Sequence, residues 1–167
     1  EDIPEEKLSP HYETFEIGKA EVLREGADGA LLAYGAMVYR CLQAAEKLSE
    51  KGIEVTVVNA RFVKPLDKEL ILELIRNHKL IITAEDHALM GGFGSAVLEL
   101  VSDERENVNK ILRMGIPDCF IEHGPRNLML KNIGLDEGGI ADKFITTLDL
   151  MNIRGSFTKT GKQRLSV

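Results

Sequence analysis

The sequence predicts an α/β domain, a parallel sheet covered by helices on both faces. Short apolar, β-branched runs alternate along the chain with stretches of helical periodicity. The strand-like runs are apolar without interruption, as expected of strands buried on both sides. Glycines, prolines and acidic turn residues mark each change of period.

The elements follow in order. Residues 19–24 (KAEVLR) read as a first strand, and Glu25-Gly26-Ala27-Asp28-Gly29 as a turn. Ala30–Tyr34 is a short apolar strand closed by Gly35. Val38, Cys41, Leu42, Ala45 and Leu48 then fall at helical spacing, and Gly52 is placed to stop that helix. Ile53–Val58 (IEVTVV) is strand-like. Pro65 ends a loop, and the Asp67 carboxylate can cap a helix carrying Leu70, Ile71, Leu74 and Ile75 on one face. Leu80–Ala84 is the next strand, and a glycine loop, 91-GGFG-94, leads into a helix with Val97, Leu98 and Val101. Lys110–Met114 reads as the last strand. A short helix between Pro125 and Gly134 and a longer one with Ile140, Phe144, Ile145 and Leu148 complete the pattern.

The chain of 167 residues suits one domain. Its net charge of −6 argues against a nucleic-acid groove, which needs clustered cations to neutralise phosphates. No apolar run approaches the roughly 18 residues of a membrane helix. Cys41 and Cys119 make no disulfide framework and suit a reducing compartment. Both read as packing residues, Cys41 on an apolar helix face. Residues 1–14 are acidic and proline-punctuated, like a linker arriving from a preceding domain, and the chain opens on Glu1 with no leader pattern. Residues 149–167 turn polar and basic and read as a loose tail.

Functional loops of such sheets sit at the carboxyl ends of the strands. Here those ends are Gly35, Asn59-Ala60-Arg61-Phe62, Glu85-Asp86-His87 and Gly115-Ile116-Pro117-Asp118. The loop Met90-Gly91-Gly92-Phe93-Gly94-Ser95 between a strand and a helix has the look of a phosphate cradle, because a helix N-terminus offers unpaired N–H groups. The fingerprint fails in detail. A GxGxxG read from Gly92 would need glycine where Val97 stands, and the acidic pair before the loop repels an anion. A tight strand-to-helix turn packed against a neighbouring chain or domain is the better reading of Glu85, Asp86, His87, Gly91, Gly92, Gly94 and Ser95. Arg61 fits either a structural salt bridge or a bidentate carboxylate or phosphate contact, with the salt bridge favoured, and it joins the loop residues as a candidate domain or subunit contact. His11, His78, His87 and His123 have no metal-ligand spacing, and no GxSxG elbow exists. On residues alone, the domain has no self-sufficient active site.

Several stretches are more specific. Arg61–Asp67 (RFVKPLD), 83-TAED-86 followed by 90-MGGFGSAV-97, 115-GIPDCFI-121 and 134-GLDEGGI-140 resemble the C-terminal domain of the transketolase-like thiamine diphosphate enzymes. Among these they are most similar to the 1-deoxy-D-xylulose-5-phosphate synthases. The likeness covers roughly residues 15–148. It implies a three-layer α/β/α domain with a five-stranded mixed sheet of order 1-3-2-4-5, its first strand antiparallel. It also implies that thiamine diphosphate and Mg2+ are held by preceding domains of a longer enzyme, with none bound by this chain alone. No catalytic residue is carried over to this chain. What remains is a scaffold for homodimerisation and for packing against the cofactor-binding domains, in a cytoplasmic or plastid enzyme. A stand-alone interaction module, or a subunit of a split transketolase or 2-oxoacid dehydrogenase β-type enzyme, is the alternative.

Overall fold

The computed structural model describes residues 14–161, and side chains as far as Met151. The chain runs β1 (Glu21–Arg24), β2 (Gly29–Ala33), α1 (Met37–Ser49), β3 (Val55–Asn59), α2 (Lys68–Asn77), β4 (Ile81–Ala88), α3 (Phe93–Asp103), β5 (Ile111–Ile116), α4 (Arg126–Asn132) and α5 (Glu137–Gly161). The sheet order is β1-β3-β2-β4-β5. Central β2 pairs in parallel with β3, Leu31 opposite Val57, and with β4, Leu31 opposite Ile82. β5 adds in parallel to β4, and β1 lies antiparallel on the outer side of β3. The expected five-stranded mixed sheet with one antiparallel strand is therefore the one found.

Alternation along β2 explains why its sequence is apolar throughout. Leu31 and Ala33 face one core with Met37, Cys41, Leu48, Ile140 and Phe144. Ala30 and Leu32 face the other, with Ile71, Ile75, Phe93 and Val97. Helices α1, α4 and α5 thus cover one side and α2 and α3 the other. Each large aliphatic or aromatic side chain taken from water contributes about 1.5–3 kcal/mol, so the central strand anchors both layers.

Asp67 caps α2 as its position predicts, Oδ1 accepting from the Leu70 N–H at 3.2 Å. Its Oδ2 also accepts from the Ala20 N–H at 3.0 Å, which fastens the approach to β1 onto the start of α2.

The structure moves several boundaries. β4 extends through Glu85, Asp86 and His87, which the sequence placed in a loop beyond the strand. A register irregularity between Ala84 and Ala88 lets the strand continue beside β5. β5 reaches Ile116, while Lys110 belongs to a single 3-10 turn and donates to the Ile75 carbonyl. Helix α5 runs on to Gly161, so the segment from Asp149, expected to be a loose tail, is helical that far. Once Ile140 and Phe144 seat the helix on the sheet, no proline follows to stop it. Residues 1–13, with His11 and nearly all of the expected linker, and residues 162–167 lie outside the described part.

Candidate functional site

The carboxyl end of the sheet is organised by one buried carboxylate. Side chains alternate along β4, so Thr83 and Glu85 turn to the α3 side, and both are sealed from solvent. Glu85 Oε2 accepts from the Phe93 N–H at 2.6 Å, and Oε1 accepts from the Gly94 N–H at 2.9 Å. These are N–H groups of the first turn of α3, which has no intrahelical acceptor for them. The positive end of the helix dipole adds to the attraction, and hydrogen bonds to a charged group are worth about 1.5–3 kcal/mol each.

The glycines fit this arrangement. A Cβ on Gly92 would stand 2.1 Å from Glu85 Oε2, and one on Gly94 would stand 2.5 Å from Thr83 Oγ1. The helix start is therefore closed by the protein's own carboxylate, and the N–H groups that would meet a phosphate are already bonded to Glu85. The strand-to-helix turn is a tight one, and the anion cradle has no room for an anion.

From above, Arg113 of β5 holds the same loop. Its Nη1 donates to the Leu89 carbonyl at 2.9 Å and to Ser95 Oγ at 2.7 Å. Ser95 Oγ accepts from the Gly91 N–H at 3.1 Å and donates to the Leu89 carbonyl. Glu85, Gly92 and Gly94 are buried and shape the loop from beneath, whereas Asp86, His87, Met90 and Gly91 face solvent. Asp86 forms an exposed ion pair with Arg126, linking β4 to α4.

Arg61 lies apart from this group, at the end of β3, with β2 between β3 and β4. It takes a left-handed backbone, φ 55°, and its N–H donates to Asn59 Oδ1 at 3.0 Å. Its Nη2 pairs with Glu21 Oε2 at 2.7 Å, and its guanidinium lies 4.2 Å from the centre of the Phe15 ring. The structural salt bridge favoured from sequence is thus present, with β1 as the partner.

The apolar face around these groups has no signature in the sequence. Phe15, Ile17, Tyr39, Met90, Phe120 and Leu128 are all exposed, and all lie at the carboxyl end of the parallel strands. Phe120 is completely exposed and Met90 is 70% exposed. Together with Leu89, Ile116, Pro117 and Cys119 they line a cleft of about 570 Å³. Phe120 sits in a loop where no periodicity marks a face; its only signal is a large aromatic three residues after Pro117, just past a strand end.

The cysteines divide. Cys41 is fully buried, and burial pushes its thiol up to about 12. Cys119 is exposed, contrary to the expectation that both pack, because the loop after β5 leaves the sheet before reaching it. His78 is nearly buried at the end of α2, with Nδ1 unpartnered. Burial holds its pKa below the usual histidine value; the Ala27 carbonyl opposes that shift and Lys110 adds to it. Among the described residues, no group of three or more His, Cys, Asp or Glu is placed to hold a metal ion, and no helix is long and apolar enough to cross a membrane.

Comparison with known proteins places these features in context. The family model described as "Transketolase, C-terminal domain" matches residues 18–140. The chain is 54% identical over 125 residues to 1-deoxy-D-xylulose-5-phosphate synthase 1 of Geobacter sulfurreducens, covering 75% of this chain and 20% of that protein. It is 49% identical over 145 residues to 1-deoxy-D-xylulose-5-phosphate synthase of a Synechococcus species, covering 87% of this chain and 22% of that one. The chain therefore spans about a fifth of the length of these relatives. Among solved structures, a split gene transketolase, an inactive beta4 tetramer, superposes with a TM-score of 0.75 at 34% identity, over 82% of this chain and 44% of that one. A transketolase from Pichia stipitis shares the fold, with a TM-score of 0.60 at 17% identity over 81% of this chain and 18% of that one.

Proposed function

We infer the function from one premise: this chain belongs to the transketolase C-terminal domain family. It serves as the C-terminal domain of a 1-deoxy-D-xylulose-5-phosphate synthase, a cytoplasmic enzyme that condenses pyruvate with glyceraldehyde 3-phosphate and releases CO2. Its own share is mechanical. The carboxyl-end face packs against the preceding domains and supports the homodimer, through Asp86, His87, Gly91 and the Arg61 region. Glu85, Gly92, Gly94 and Ser95 hold the loop in shape for that contact.

One observation carries this reading. At the end of the sheet where α/β domains usually bind ligands, the glycine-rich helix start is filled by Glu85, and the surrounding surface carries exposed apolar side chains. The residues here do not fit thiamine diphosphate: its diphosphate would compete with a fixed carboxylate for the same two N–H groups. Thiamine diphosphate and Mg2+ are accordingly assigned to other domains of the enzyme, which leaves this domain to brace them.

Titration of thiamine diphosphate and Mg2+ into this chain, followed by calorimetry, tests the assignment. No saturable heat is expected, and micromolar binding would overturn it. The likeness to the split gene transketolase favours a second reading, in which the same face docks a separate cofactor-bearing subunit. The upstream reading frame separates the two: cofactor-binding domains on the same polypeptide support the synthase reading.

A further inference from the structure

We draw no further inference here: the strongest candidate, the apolar cleft between the ends of β4 and β5 lined by Leu89, Met90, Ile116 and Phe120, belongs to the contact face already described, and nothing in the structure shows what covers it.

Discussion

Glu85 and Gly92 approach one another more closely than any side chain at position 92 permits. A Cβ there would lie 2.1 Å from Glu85 Oε2 and 2.4 Å from the Ala88 carbonyl oxygen. The carboxylate is held by two N–H groups and the carbonyl is backbone, so neither can give way cheaply. Gly92→Ala should therefore destabilise the domain by about 2–3 kcal/mol, in the upper range for an overpacked site. Urea denaturation, compared with Gly91→Ala, checks the cause. No atom lies within 4 Å of a Cβ at Gly91, but its φ of 73° makes alanine costly there through backbone strain alone. Native-state hydrogen exchange at the Phe93 and Gly94 amides should rise in Gly92→Ala and stay low in Gly91→Ala.

The two thiols should differ sharply in reactivity. Cys119 is exposed, while Cys41 is buried with its thiol pushed up to about 12. An aromatic disulfide reagent should titrate one thiol in the folded chain, at Cys119, and both in denaturant. Cys119→Ser should abolish the native reaction. Rapid modification of Cys41 without denaturant would contradict the packing described for α1.

Stability should weaken on mild acidification through His78. Its folded pKa lies below the unfolded value of about 6.5, so the unfolded chain takes up the proton first. The native state thus holds its full advantage above that unfolded value. The advantage drains away as pH falls through the folded pKa and is level below it. Melting temperatures of the wild type and His78→Asn, compared from pH 7.5 to 5, measure this. The wild type should lose more than the variant across the interval; parallel profiles would remove His78 as the source.

Much of the fold was legible because both faces of the sheet are buried. Ala30–Tyr34 reads as a strand from its unbroken apolar run, and Asp67 as a cap from its place before Leu70, Ile71 and Leu74. The strand order came from family resemblance, since a local pattern does not encode which strands meet. The role of Glu85 was hidden for a related reason. An acidic pair at a strand end reads as part of a loop that repels an anion, and only the return of the chain at Phe93 and Gly94 gives the Glu85 carboxylate its partners. Phe120 and Leu128 were missed because neither lies on a periodic face whose orientation the sequence could specify.

The most direct test concerns the apolar end of the sheet. Met90→Asp combined with Phe120→Asp is introduced into the longer polypeptide that the proposed function requires, and assembly is followed by sedimentation alongside the proposed synthase turnover. Both side chains are exposed in this domain, so the isolated variant should melt at the wild-type temperature. In the whole protein, the double variant should lose domain or subunit association and at least tenfold of its turnover, the effect of about 1.4 kcal/mol at a contact. Wild-type assembly and turnover in that variant would contradict the assignment of this face as a contact.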